Sequence, residues 1–302
     1  MEQLSKKVQR AQFFQSHLHL FRCPYCGGAF TFQDQLSLIC SHRHTFDLSK
    51  QGTVNLLVHH VHSEYDQELF VCRRRIMQET DFFQPLLERL AAEINRYWSD
   101  DDKKGERLLL DAGCGEGTHL TRLLSLLKQS GHRASGIGVD IAKEGIHQAA
   151  KNSIDAQWLI ADLAHPPFSS HIFDGILNIL SPSNYEAFSR IVKPSGWLIK
   201  VVPASDYLKE LRIFFRGNDG GRTYSNADVL AHFNSRFPDT NRFSITYTRH
   251  LEGDQLFDLM RMTPLSWRAS ESLKEQWVSA RSRTLTVDLT VLMAKNIEIE
   301  KS

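Results

Sequence analysis

Three thiols and an imidazole fall close together near the start of the chain, as Cys23-Pro24-Tyr25-Cys26, thirteen further residues, then Cys40-Ser41-His42-Arg43-His44. A C-x-x-C turn brings two thiolates onto one metal from a single tight loop, and Cys40 with His44 supplies the opposing pair of a tetrahedron. The spacing predicts Zn(II) held by Cys23, Cys26, Cys40 and His44. His42 competes as fourth ligand, but Cys40-x-His42 is a shorter loop than zinc sites commonly use. A disulfide or plain buried thiols would explain the cysteines without explaining the histidine. With four protein ligands there is no open position for a reactive water, so the ion is structural and folds a module of about 30 residues that is too short to bury a core of its own.

A second group of residues follows a short apolar run. Asp111-Ala112-Gly113-Cys114-Gly115-Glu116-Gly117 lies between Leu108-Leu109-Leu110 and a helical pattern. Glycines there let the backbone pass close under a ligand, and the amides at the helix start present donors to it. A dinucleotide loop, G-x-G-x-x-G, would place its third glycine at 118, where this chain has Thr118. The D-x-G-x-G-x-G form suits S-adenosylmethionine, which has no pyrophosphate and needs an acid and backbone amides for its ammonium and carboxylate. The cofactor-binding set read here is Asp111, Gly113, Gly115, Glu116 and Gly117. Asp140 joins it for the ribose hydroxyls and Asp162 for the adenine amino group. Both acids end strands, where ligands of such sheets bind; capping of the following helices is the alternative role.

The elements that must position these groups alternate along the chain. From Pro85, Leu86, Leu87, Leu90, Ala91 and Ile94 form one helical stripe. Strands are expected at 108–111, 136–140, 157–160, 174–180 and 197–202. Helices lie between them, the last over Tyr185–Val192 and stopped by Lys193-Pro194-Ser195-Gly196. Phe243–Thr248 and Thr284–Met293 alternate as strands that close the sheet with an antiparallel edge. The fold class is therefore α/β: a doubly wound, Rossmann-like S-adenosylmethionine-dependent methyltransferase domain over 85–302, with a small N-terminal zinc-binding module. Residues 1–58 hold an arm and the module, and 59–84 a connector, polar as far as residue 80.

Composition bounds the class. With 41% apolar residues in 302 the chain can build a substantial core. No run of about 18 apolar residues could span a bilayer, and the N-terminus lacks the apolar stretch of a secretory signal. Five cysteines, three assigned to metal, suit a reducing compartment, so a cytoplasmic location is expected. The net charge of +1 is uninformative, but residues 1–50 carry six Lys/Arg against three acids and Arg73-Arg74-Arg75 follow, a distribution compatible with nucleic-acid contact.

Three segments together resemble a known family: Cys23–Leu57 with its F-D-x-x-K-x-G-x-x-N-L-L tail, the D-A-G-C-G-E-G loop, and Met262-Thr-Pro-Leu-Ser-Trp267. They resemble the bacterial large-subunit (23S) ribosomal RNA guanine-N1 methyltransferases, which include members conferring resistance to macrolides such as tylosin. The resemblance, over about residues 20–295, implies S-adenosylmethionine as donor, a zinc domain that helps grip a ribosomal RNA hairpin, and a homodimer. It also implies two further cofactor contacts, Phe83, where a tyrosine is expected, and Tyr207, where a histidine is expected. Residues 59–72 depart from the Gly-Asp-rich sequence of active members, and Thr118-His119 stand where aromatics are common.

In the guanine reaction N1 must lose its proton as the methyl group arrives, and positioning does most of the work. Asn178 and Ser181, at and just after the end of the fourth strand, are candidates for that region, but no catalytic residue is assigned. The segment lacks the N-P-P-Y arrangement used on exocyclic amines. A methyltransferase acting on a small molecule or another RNA base, and a non-catalytic RNA- or cofactor-binding homologue, are the alternatives. Under the ribosomal RNA reading the zinc module's basic residues and Arg73–Arg75 would hold phosphates.

Overall fold

The computed structural model describes residues 5–34, 36–59, 61, 63–98, 105–216, 225–295 and 297. The first four residues of the arm, and His60 and His62 of the connector, lie outside them. The arm is a helix, α1 (Lys6–Ser16), started by Ser5, whose hydroxyl accepts the Val8 amide. Strands β1 (Phe30–Gln33), β2 (Ser37–Cys40) and β3 (Thr45–Asp47) form a small antiparallel sheet. After β4 (Val54–Asn55) come α2 (Gln67–Glu79), α3 (Gln84–Tyr97), β5 (Glu106–Ala112), α4 (Thr118–Gln129), β6 (Arg133–Asp140), α5 (Lys143–Asn152) and β7 (Ala156–Ile160). The chain continues through β8 (Phe173–Ile179), α6 (Tyr185–Ile191), β9 (Val192–Pro203), α7 (Lys209–Arg216) and α8 (Ala227–Arg236). It ends in β10 (Thr240–Glu252), α9 (Asp254–Met262), α10 (Glu271–Val278) and β11 (Ser282–Lys295).

The main sheet has eight strands in the order β10-β11-β9-β8-β5-β6-β7-β4. From β9 to β4 every pairing is parallel, and β11 and β10 add an antiparallel edge. The chain runs outward from β5 through β6 to β7, then returns to β8 on the other side of β5. That reversal opens a crevice at the carboxyl ends of these strands. Parallel strands are buried on both faces. Thus Leu109, Leu177 and Ile199 join the cluster under α3 and α4, while Leu110, Ile176 and Leu198 join the opposite one.

That opposite cluster is shared with the N-terminal segment, because Phe14, Phe21, Phe30, Phe46 and Val54 pack into it beside Phe168 and Phe173. Backbone bonds from Arg22 to Pro167 (2.9 Å) and from Ser169 to Leu20 (2.9 Å) join the two. The buried guanidinium of Arg10 donates to the carbonyls of Gln51, Ala150 and Ser153, so α1 is tied both to the module's tail and to α5. β4 then enters the main sheet beside β7.

Three sequence expectations are corrected. The polar connector contains α2, capped by Asp66, whose carboxylate accepts the Leu69 amide (2.9 Å). Its buried side chains are spread among charges, which conceals the stripe. Lys193–Gly196 do not separate α6 from the fifth strand: β9 begins at Val192, and these residues bulge out between the pairs Phe173↔Val192 and Gly175↔Trp197. The last two strands are longer than their apolar alternation suggests, at 13 and 14 residues, because each pairs along nearly its full length with the other.

The indole of Trp158 on β7 fills the space beside two glycines. A Cβ on Gly117 or on Gly138 would lie 2.4 Å from its ring. Gly117 also has φ +82°, the left-handed region. Gly131 shares that conformation (φ +88°) with nothing within 4 Å of a built Cβ. Gly131→Ala should therefore cost about 1 kcal/mol for its backbone alone, and Gly117→Ala about 2–4 kcal/mol because overpacking adds to it. Urea unfolding of both variants checks this, and equal losses would show that Trp158 yields freely.

Candidate functional site

The metal cluster sits on the turns of the small sheet. Cys23 and Cys26 belong to the turn before β1, in which the Gly27 amide donates to Cys23 O (2.8 Å), and Cys40 ends β2. Sγ of Cys26 and Cys40 are 3.7 Å apart, and Nδ1 of His44 is 3.5 Å from Cys23 Sγ and 3.3 Å from Cys40 Sγ. All four donor atoms lie within 4.8 Å of one another. A tetrahedron with Zn–S of about 2.3 Å and Zn–N of about 2.0 Å has edges of roughly 3.5–3.8 Å, so the donor set fits zinc. His42 is outside the cluster and meets Ser41 instead. Tyr25 stacks on the His44 ring (4.9 Å) and donates to Val58 O, covering one side of the site.

The glycine loop leaves β5 through three residues of positive φ, Gly113, Gly115 and Gly117. A Cβ on Gly113 would fall 1.8 Å from Ser181 Oγ, so the loop passes directly against the segment after β8. Asp140 holds the loop from the neighbouring strand: its carboxylate accepts the amides of Gly115 and Ala142 at 2.8 Å each. It thus braces loop and α5 together without capping that helix by side chain. Each oxygen keeps a second lone pair, which two ribose hydroxyls could use. Asp162 accepts the Ala164 amide (2.8 Å). Asp111 is 1% exposed and its Oδ2 has no hydrogen-bond partner. Burial pushes its pKa up to about 7, against the pull of Arg73. A buried carboxylate oxygen without a donor is suited to an ammonium group. These observations fit S-adenosylmethionine.

A cleft of about 560 Å³ opens over this loop. Gly113, Gly115, Asp140 and Asp162 line it. Asp111, Glu116 and Gly117 sit behind that surface. Glu116 accepts the Thr118 hydroxyl and lies 3.6 Å from Arg73. Burial raises the Glu116 carboxyl, with Arg73 opposing. Phe83 is 1% exposed in the core, edge-on to His119 at 5.2 Å, and Tyr207 packs against the same core; neither lines the cleft. Burial lowers the His119 pKa well below its ordinary value, and raises that of Tyr207.

Several lining residues are invisible to loop-and-acid reasoning. Leu69, Phe70 and Arg73 of α2 form one wall, and Tyr65, Met262 and Trp267 another. The last two bound the M-T-P-L-S-W segment, which was the available signal. Asn178 is fully buried and its amide is committed. It donates to Ala112 O (2.7 Å) and Pro182 O (2.9 Å) and accepts from Lys200 Nζ (2.6 Å). Lys200 also donates to Ser181 O, and burial lowers its pKa to about 8. These two side chains hold the 180–183 turn, in which Leu180 has φ +52°, a conformation a bulky residue adopts only when its surroundings enforce it. Ser181 and Ser183 remain at the cleft surface.

The Arg73–Arg75 run does not form a phosphate-gripping face. Successive helical residues point about 100° apart, so Arg73 turns into the cleft while Arg75 pairs through two nitrogens with buried Asp258 of α9. Arg261 of α9 reaches back to Asp66 and Glu68, pinning α2 at its other end.

A doubly wound sheet with this glycine loop, strand-end acids and cleft defines a Rossmann-like methyltransferase. Residues 109–196 match the methyltransferase domain family, and residues 21–64 match the family described as RlmA, N-terminal, a zinc ribbon. The chain is 40% identical to a putative 23S rRNA (guanine-N(1)-)-methyltransferase, YxjB, of Bacillus subtilis, over 91% of this chain and 96% of that one. It is 29% identical to the 23S rRNA (guanine(748)-N(1))-methyltransferase of Streptomyces fradiae, over 82% and 85%. A putative 23S rRNA (guanine-N(1)-)-methyltransferase of Micromonospora griseorubida is 27% identical over 91% and 96%. The chain belongs to the family of 23S rRNA (guanine-N1) methyltransferases.

Two outcomes are expected. Freshly purified protein should contain about one zinc per chain, and Cys40→Ala should lose it and melt earlier; elemental analysis finding no zinc in the wild type would refute the assignment. For Asp111 the folded pKa is raised, so the native state holds a proton that the unfolded chain has released between about pH 4 and pH 7. Its contribution to stability is present below that window and is lost as pH rises through it, by an amount on the order of a few kcal/mol. Asp111→Asn removes the titration. Chemical denaturation should show the variant gaining on wild type from pH 5 to pH 8, and parallel profiles would contradict the burial argument.

Proposed function

We propose that the protein transfers the methyl group of S-adenosylmethionine to N1 of a guanine in a hairpin of large-subunit ribosomal RNA. The observation that carries this reading is the continuity of two cavities. A groove of about 2100 Å³ runs between the zinc module and the α/β domain, and it shares Ala164, Ser183 and Asn184 with the cleft over the glycine loop. Among the described residues, Arg22, Arg190 and Arg236 line the groove, with His165, His171 and His232, against the single acid Glu186. Such a surface suits a phosphate backbone. An extruded base could pass from groove to cleft, as enzymes that modify bases require. The family relationship to proteins named for guanine N1 supports the choice of atom.

The donor, when bound, supplies an electrophilic methyl group. Asp140, Asp162 and the glycine loop would bind and orient it, with Asp111 behind the loop holding its charge. Lys200 and Asn178 set the 180–183 turn, whose Ser181 and Ser183 face the incoming base. Leu69, Phe70, Tyr65 and Trp267 give the cleft apolar and aromatic walls. The reading further includes a cytoplasmic location, where ribosomal RNA is found, a homodimer, and a contribution to macrolide resistance. Among the described residues no helix is long and apolar enough to cross a membrane.

Ribosomal RNA from cells lacking the protein should accept methyl groups in its presence. Primer extension should then stop at one guanine, since an N1 methyl group blocks Watson–Crick pairing. Transfer without a new stop would indicate another atom or base. Intact donor binding with no transfer to any RNA would favour a small-molecule substrate or a non-catalytic role.

A further inference from the structure

The donor's amino-acid end carries a carboxylate as well as an ammonium, and the site just described is poor in partners for it. Asp111 and Glu116 are buried around the glycine loop, and Asp140 and Asp162 line the cleft. A further carboxylate entering there would be repelled unless a cation met it. Among the described residues that line the cleft, Arg73 is the one cationic side chain. It projects from α2 one turn after Phe70, and both reach the glycine loop. A Cβ built on Gly115 would lie 3.4 Å from the Phe70 ring and 3.7 Å from Arg73 Nε. That Nε is buried and has no hydrogen-bond partner, while Glu116, 3.6 Å away, provides a counter-charge that orients the guanidinium.

We infer that Arg73, set against Gly115 and oriented by Glu116, is the anchor for the donor's α-carboxylate. The inference rests on the reading that this cleft holds S-adenosylmethionine. A planar guanidinium can meet a carboxylate through two parallel hydrogen bonds, and the charged partners make those bonds strong. Its placement is rigid. Arg75 on Asp258 and Arg261 on Asp66 and Glu68 fix α2 against α9, so the helix cannot rotate Arg73 out of the cleft without breaking both ends. The segment that reads as a connector thus supplies the donor's charge specificity.

The test separates the carboxylate from the rest of the ligand. Calorimetry on the full-length zinc-bound protein would compare three probes. They are S-adenosylhomocysteine, its decarboxylated analogue that keeps the amine, and 5′-methylthioadenosine, which lacks the amino-acid end. Wild type should bind S-adenosylhomocysteine about ten- to a hundredfold tighter than the decarboxylated analogue, the range for hydrogen bonds to charged groups. Arg73→Met should abolish that preference and leave 5′-methylthioadenosine affinity within about twofold of wild type. Arg73→Lys should restore part of it, keeping the charge without the planar fork. Equal losses for all three probes in folded Arg73→Met and Arg73→Lys proteins would make Arg73 a structural counter-ion and overturn the proposal. So would an undiminished preference in Arg73→Met. If Asp140→Ala left all three affinities unchanged, the donor reading of the cleft would fail instead.

Discussion

The peptide after β5 has to leave a strand buried on both faces and turn into α4 within a few residues, against neighbours that leave no space for side chains. Trp158 occupies the volume beside Gly117 and Gly138, and Ser181 occupies that beside Gly113. Three residues of positive φ make the turn, and the Asp140 carboxylate fixes it by accepting one amide from the loop and one from the start of α5. The positions of α4, α5 and the 180–183 turn all follow from this packing. A loop held so tightly has little freedom left to lose when a ligand binds, which is the sense in which a site is preorganised.

The same compactness creates an electrostatic problem. Asp111, Glu116 and Asp140 lie where burial disfavours their charged forms, and each has its pKa raised by that burial. Backbone amides offset this for Asp140, and Arg73 does so for Asp111 and Glu116. Asp111 keeps an oxygen with no donor, an arrangement costly in the protein alone. A cationic group placed against that oxygen would relieve it.

The zinc ribbon is fixed to the catalytic domain through shared core. Phe21, Phe30 and Phe46 pack in the same cluster as strands of the main sheet, and β4 pairs with the last two residues of β7, Leu159 and Ile160, so the module's tail joins that sheet. Metal and domain packing therefore both hold the module, which sets the geometry of the groove between them. Loss of the ion would disturb that groove even though the metal takes no part in the chemistry.

Much of the site is legible in the order of the residues. Cys23, Cys26, Cys40 and His44 are spaced by local loop geometry, and the glycine loop and the strand-end acids follow the periodicity of strand and helix, which neighbouring residues determine. Helix α2 is not legible in that way. Its apolar residues are too mixed with charge to mark a face, and what defines that face is contact with α9 and the glycine loop, both remote in sequence. The roles within the Arg73–Arg75 run are settled by the same contacts: three identical side chains in a row look like one basic patch until the helix sends one to Glu116 and another to Asp258. Asn178 likewise carries chemistry as a residue type, and only the arrival of Lys200 from the adjacent strand shows it committed to holding a turn. Ligand types, the order of the elements and the fold class are written in the linear chain, because they depend on short-range spacing. Which side chains face the cleft is set by folding alone, because burial and ion pairing depend on partners up to nearly two hundred residues away.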